Sequence, residues 1–393
     1  HFRERIMNLV KYAGISLIAL SASMGHAGGM EATGLSAGFM FEDGRYGSVS
    51  VQSQSPSVKA KTAAGASLTS GSLVGSVTST NLKAKMDVLD NMSVGITYYR
   101  QAGIKLDYQT NWAGASPLPP KAVMPKVDLD VTALALLVKY GFNENFSALA
   151  GIKNGTASDA TVLIPIAVGV NATATGKSAL SYIVGAAYEI PELALRAELM
   201  YETSAAYSLP TAFAVMAPIA GVTAGLATAQ TGTIDASTPD YINIYVQSGI
   251  AEDTLAYASA RQANWKKNQV SFKHPLSQTV IGTSALNTPY TLSDFANSTS
   301  YEIGVGRKFG DTWSSSIAYN WEGGSGTTTS SLFTLNDGRQ GLSVGAKYSL
   351  NDKTAISFGG NYTEFGKVTN TITGAVLSGN TATTLGLNIS HSF

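Results

Sequence analysis

From about Tyr46 to the last residue, apolar and polar positions alternate in short runs separated by turn-forming residues. In the final run Leu385, Leu387, Ile389, His391 and Phe393 fall on one side, and Thr384, Gly386, Asn388, Ser390 and Ser392 on the other. Successive side chains of a strand point to opposite faces, so this period of two predicts a sheet with one apolar and one polar face. The same alternation sets Leu342, Val344, Ala346, Tyr348 and Leu350 against Ser343, Gly345, Lys347 and Ser349. It recurs with Tyr301, Ile303 and Val305 against Glu302, Gly304 and Gly306, and with Trp313, Ile317, Tyr319 and Trp321 against Ser314, Ser316 and Asn320. Arg307 interrupts an apolar face, as a long side chain can when it snorkels at an interface. No amphipathic helical period of useful length appears within these runs.

The connections between runs are of two kinds. Short ones carry tight-turn residues: Leu89-Asp90-Asn91, Asn143-Glu144-Asn145, Pro191-Glu192-Leu193, Ala251-Glu252-Asp253, Gly310-Asp311-Thr312 and Asn351-Asp352-Lys353. Long ones span about 55–71, 108–125, 155–176, 206–238, 267–298, 323–337 and 366–380. The two kinds alternate, which predicts about 14 antiparallel strands with both termini on the short-turn side. An open sheet in lipid would leave edge N–H and C=O groups unpaired at a cost of several kcal/mol each, so the sheet is expected to close. The predicted fold class is therefore all-β, a transmembrane antiparallel β-barrel. No repeat suggests a propeller or solenoid.

Composition sharpens this reading. Charged residues are 13% of the chain, about half the usual fraction of a soluble domain, yet hydrophobic residues reach only 44%. That balance fits strands with one face to lipid and one to a wet lumen. A formal net charge of zero gives no basic excess to hold nucleic acid, and the absence of cysteine excludes thiol and disulfide chemistry. Residues 1–27 read as upstream sequence followed by an export signal. Met7 is the expected start, Lys11 supplies the positive region, Ala13 to Ala22 the apolar core, and Met24-Gly25-His26-Ala27 the cleavage site. Residues 28–46 then form a short N-terminal segment and 47–393 the barrel, placing the protein in the bacterial outer membrane. The C-terminal strand ending in Phe393 is the segment expected to engage the barrel assembly machinery.

The inventory for catalysis is thin. Beyond residue 27 there are two histidines, His274 beside Pro275 and His391 in the last run, and neither lies in a hydrolase pattern. Asp294 and Glu302 are placed to pair across a loop base, but phosphate loops and clustered metal ligands are missing. No enzyme, metal or cofactor is expected. The anomaly lies in two long connections that are apolar where water-facing loops are polar. The third contains Leu163, Ile164, Ile166 and Val168, and the fourth contains Phe213, Val215, Met216, Ile219, Val222 and Leu226. Either these form a hydrophobic capture site, or they fold over the barrel mouth as short helices and bury one another.

Several stretches resemble the FadL family of outer-membrane transporters of long-chain fatty acids and related hydrophobic compounds. They are Gly185-Ala186-Ala187-Tyr188-Glu189-Ile190-Pro191 running into Leu195-Arg196-Ala197-Glu198-Leu199-Met200-Tyr201, then Pro239-Asp240-Tyr241-Ile242-Asn243 and Ala260-Arg261-Gln262-Ala263-Asn264-Trp265-Lys266. Tyr301 to Phe309 followed by Asp311-Thr312-Trp313-Ser314 completes the set. The resemblance implies a monomeric 14-stranded barrel with an N-terminal hatch in its lumen, a hydrophobic groove between the third and fourth outer loops, and a kinked third strand for lateral release. On that basis Met30, Leu35, Phe39 and Phe41 are expected plug contacts, and Gln101, Ala102 and Gly103 in the strand from about Met92 to Asp107 the kink. A glycine inside a strand often marks a bulge, so the kink also has a basis in the residues themselves. The family's Asn-Pro hatch motif is absent. The expected function is passive uptake of hydrophobic molecules such as long-chain fatty acids; the alternatives are a general porin for small polar solutes and an adhesive barrel.

Overall fold

The computed structural model describes residues 30–61, 69–108, 126–164, 170–215, 230–273, 290–324, 326, 328–331, 333–371 and 374–393. Among them, 14 strands close into one antiparallel barrel. In order these are Tyr46–Ser57, Val77–Leu89, Met92–Asp107, Lys126–Gly141, Phe146–Ala157, Ser178–Ile190, Leu195–Glu202, Tyr241–Ala251, Thr254–Ala263, Ser298–Phe309, Trp313–Glu322, Arg339–Ser349, Thr354–Phe365 and Asn380–Ser392. The first and fourteenth pair from Tyr46↔Ser392 to Ser57↔Thr381, leaving no open edge. Each strand pairs with its neighbours, and the short turns fall where the sequence places them. Asn143 Oδ1 accepts from the backbone N–H of Asn145 at 2.9 Å and Phe146 at 2.8 Å, and Asn351 Oδ1 does the same for Lys353 and Thr354. Gly310 turns at φ 64°, a left-handed conformation glycine adopts without steric cost.

The alternation sorts the two faces of the wall. Leu385 is 63% exposed and Leu387 48%, whereas Thr384 and Asn388 on either side of them are buried. Exposed Tyr140, Phe142 and Phe146 gather at the short-turn end, and Tyr301, Tyr319 and Trp321 stack near the other. Two aromatic girdles around an apolar band are what a barrel in a bilayer presents at its two interfaces.

The third and fourth long connections are not polar loops, nor are their described parts helices. They are hairpins, Ala160–Ile164 with Val170–Ala174, and Ala205–Val215 with Gln230–Thr238, which continue the barrel sheet outward. Val127 pairs with Val162, and Thr211 with Ala174, so one wall rises well above the rest. Opposite it, Ala60–Lys61, Thr328–Thr329, Val368–Asn370 and Val376–Leu377 form a small second sheet. Apolar side chains from both walls, including Phe213, Phe272, Trp265, Leu335 and Leu377, join one buried cluster that fills the outer mouth.

Candidate functional site

Residues 30–42 lie within the lumen, and the exposed Asp43, Gly44 and Arg45 lead into the first strand. Leu35, Phe39 and Met40 are buried against the barrel wall, with Phe41 partly so. Above them, Met30 belongs to the apolar cluster of the outer mouth. Gly95 on the third strand makes this possible, because a Cβ there would meet the Met40 sulfur and lie 2.8 Å from Phe39 Cε2.

The third strand departs from barrel regularity beside this segment. It pairs with the second only from Leu82↔Tyr98 to Leu89↔Met92. Past Tyr98 its free edge is taken by the inner segment: Ala32 N–H donates to Gln101 O at 2.8 Å, and Gly103 N–H donates to Met30 O at 2.8 Å. Further out, Gly75 N–H donates to Lys105 O at 2.9 Å. The wall thus has a notch between the second and third strands, sealed by the hatch, which satisfies backbone groups that lipid could not. On the other edge the register with the fourth strand slips between Arg100 and Ala102, leaving Gln101 as the bulged residue. Gly103 has a specific reason: Arg100 Nε donates to Asp130 Oδ1 at 2.6 Å, and a Cβ on Gly103 would lie 2.5 Å from that oxygen and 2.7 Å from Leu129 O.

Facing the notch is a buried charge network. Lys153 Nζ contacts Glu202 Oε2 at 2.7 Å, and Arg261 Nη1 contacts Glu202 Oε1 at 3.2 Å. Asn243 donates to the same carboxylate at 3.1 Å, and Arg261 also grips Glu31 of the hatch. The Arg261 guanidinium lies 3.8 Å from the centre of the Tyr241 ring. Charges inside a low-dielectric lumen persist only when paired and hydrogen-bonded, so this network is a strong tie between hatch and wall. Asn243 and Arg261 lie within the family-like stretches, where neither has an expected role. Their signal is a polar side chain on the inward parity of a strand, charged at Arg261 in a chain with few charges.

Below the network a cavity of about 580 Å³ runs along the hatch, bordered by Tyr99, Met200, Arg261, Tyr245, Tyr257 and Glu302. At its short-turn end the aromatic turn Gly38–Phe41 is surrounded by cations. Lys139 and Arg196 each lie 4.5 Å from the Phe41 ring centre, and Lys83 lies 5.9 Å from that of Phe39. Burial pushes the Glu42 carboxyl up to about 7, outweighing Lys347, Arg196 and Lys85, which favour its charged form, while Asp43 opposes it. A raised carboxyl stabilises the docked state most below its ordinary value near 4.5, and that contribution is lost as pH rises through about 7. The lower end of the hatch should therefore exchange amide hydrogens faster at pH 8 than at pH 5 after correction for intrinsic rates. Glu42→Gln should flatten this dependence, and an unchanged profile would contradict it.

Of the apolar residues expected to bind ligand, Phe213 is buried edge-on against Phe272, ring centres 5.3 Å apart, and Leu163 sits half-buried on its hairpin. Ile164 and Val215 end their strands, and their side chains lie outside the described residues, as do Ile166, Val168, Met216, Ile219, Val222 and Leu226. Phe213→Leu should cost about 1 kcal/mol through the lost aromatic pair, read as faster amide exchange across 205–213. Asp294 and Glu302 do not pair: Asp294 accepts from Ser330, and Glu302 faces Tyr257 and Arg339. His391 meets Thr354 at 2.8 Å and packs on Phe393. His274 is outside the described residues.

No protein-family model and no curated protein sequence matches the chain. Solved structures do. A Pseudomonas aeruginosa FadL homologue superposes with a TM-score of 0.71 at 15% identity, over 91% of this chain and 92% of that one. The Pseudomonas putida toluene transporter TodX gives 0.68 at 12% identity, over 95% and 98%. The Ralstonia pickettii toluene transporter TbuX gives 0.64 at 10% identity, over 95% and 99%. The chain thus has the FadL-type outer-membrane barrel fold.

Proposed function

We propose that the protein is a passive conduit for hydrophobic molecules across the bacterial outer membrane. The observation that carries this reading is the apolar column of the outer mouth. It runs from Phe213 and Phe272 down to Met30 of the hatch and Ala102 of the bulged strand, beside the notch in the wall. A hydrophobic solute gains by leaving water for such a lining at roughly 25 cal/mol per Å² buried. A polar solute gains nothing there. Below this column the lumen is charged and polar, so the notch, opened by movement of residues 30–33, is the exit that matches the solute's chemistry. The bilayer it opens to is the sink, and no energy-coupling partner is required. Long-chain fatty acids and monoaromatic hydrocarbons both belong to the ligand class. A fold shared with proteins described as toluene transporters supports the aromatic members. The protein acts as a monomer, with Phe393 and its strand read by the assembly machinery.

The test is initial uptake of radiolabelled toluene and oleate by cells expressing the chain in an outer membrane stripped of its own hydrophobic transporters. Faster uptake of at least one than in cells with an empty vector is expected. Rates equal to the empty vector for both, with folded barrel in the membrane, would overturn the proposal.

A further inference from the structure

Besides the Tyr207 hydroxyl, three neutral hydrogen-bonding side chains beside the notch are buried without a partner for their terminal atoms among the described residues. They are the carboxamide of Gln101 and the hydroxyls of Tyr99 and Tyr241. All three are nearly inaccessible, at 2%, 3% and 0% exposed. They belong to one patch of the lumen. The Gln101 amide oxygen lies over Gly155, 3.5 Å from where a Cβ would stand, and two residues along the same face Lys153 Nζ lies 5.9 Å from the Tyr241 ring centre. Tyr99 and Tyr241 share Arg261, Glu202 and Glu31 as electrostatic neighbours. Tyr99 also borders the cavity beneath the hatch, together with Leu35 and Met200, which gives an apolar body somewhere to lie.

The charges around this patch are already balanced. Lys153 and Arg261 are matched by Glu202 and Glu31, each cation in direct contact with a carboxylate. Among the described residues of this patch, a ligand carboxylate finds no uncommitted cation and faces two acidic groups, whereas burying an unpaired charge is heavily penalised. A pure hydrocarbon leaves the three neutral groups unsatisfied, at a cost of about 1–3 kcal/mol for each such group. A neutral molecule with one hydroxyl or carbonyl satisfies part of this need and keeps its apolar body against Leu35 and Met200.

Resting on the uptake reading above, we propose that Gln101, Tyr99 and Tyr241 form a polar subsite that selects neutral hydrophobic molecules carrying one hydrogen-bonding group, such as alkylphenols and alkanols, over matched carboxylates. Gln101 keeps the inward parity of Thr97 and Tyr99, and as the bulged residue it has no partner on the fourth strand, so its carboxamide enters the lumen at the height of the notch. Gln101 is in this view the residue that sets specificity.

The test is calorimetric titration of the detergent-solubilised full chain with p-cresol, toluene, octanol and octanoate, comparing wild type with Gln101→Leu. The subsite predicts that Gln101→Leu weakens p-cresol about fivefold, the size of one neutral hydrogen bond, and leaves toluene unchanged or tighter. It also predicts that wild type binds octanol more tightly than octanoate. Equal weakening of p-cresol and toluene, or tighter octanoate, overturns the subsite while saturable toluene binding keeps the uptake reading intact. No saturable binding of any probe by folded wild type overturns both. Should Gln101→Leu fail to fold, Tyr241→Phe keeps the ring under Arg261 and removes only the hydroxyl. It should weaken p-cresol selectively, and no selective change would count against the proposal.

Discussion

Arg261→Ala should detach the upper end of the hatch from the barrel wall. The substitution leaves Glu31 without its partner and strips Glu202 of one of its two cations, both inside the lumen. Breaking a buried ion pair by removing one partner costs about 3–5 kcal/mol, because the remaining charge stays buried and uncompensated. The loss falls on the hatch rather than on the barrel, whose strands are held by their own ladders. Amides of Ala32 and Thr33, now donated to Gln101 O, should exchange far faster than in wild type, and planar-bilayer recordings should show frequent ion-conducting openings. Heat-modifiable migration on gels should persist, marking an intact barrel. Hatch amides as protected as in wild type would show that the network is not the tie described here.

Gly103→Val should abolish passage through the notch without unfolding the barrel. Its Cβ would stand 2.5 Å from Asp130 Oδ1 and 2.7 Å from Leu129 O, against the Arg100 guanidinium, so the ion pair must break or the strand must shift register. Either outcome alters the bulge at Gln101 and the Gly103 hydrogen bond that holds Met30 to the strand. We expect at least a tenfold fall in hydrophobic uptake, equivalent to about 1.4 kcal/mol in the barrier. Gly47→Ala is the control, since its Cβ meets nothing closer than 3.6 Å. Uptake by Gly103→Val equal to that of the control would remove the notch from the route.

How much of this was legible depends on how local the signal is. The 14 strands were readable because side-chain parity and turn chemistry are local properties of the chain, visible in Leu385 to Phe393 and in Asn351-Asp352-Lys353. The outer hairpins were misread for a reason that is also local. Tyr207, Leu209, Thr211 and Phe213 do alternate inward, but Pro210 stands among them, and a proline inside a run argues against a strand. Here it lies on the exposed side, and its carbonyl still accepts from Thr175. The third-strand irregularity at Gln101 to Gly103 was anticipated, whereas its cause was not. That Arg100 needs the space above Gly103 follows only from the register with Asp130, thirty residues away in the chain. The same holds for Lys153, Glu202, Arg261 and Glu31. Lys153, Glu202 and Arg261 are visible as charges on inward strand positions and Glu31 as a charge in the N-terminal segment, but their convergence requires the closed barrel with that segment inside it.

We propose that a closed, apolar mouth over a latched hatch passes hydrophobic molecules and not ions. Steady ionic conductance in planar bilayers and toluene binding, both measured on one preparation of folded wild-type barrel, separate this from an open pore. Saturable toluene binding with little steady conductance is the expected result. A large, permanently open ohmic conductance with no saturable toluene binding would contradict it and identify the barrel as a porin for polar solutes.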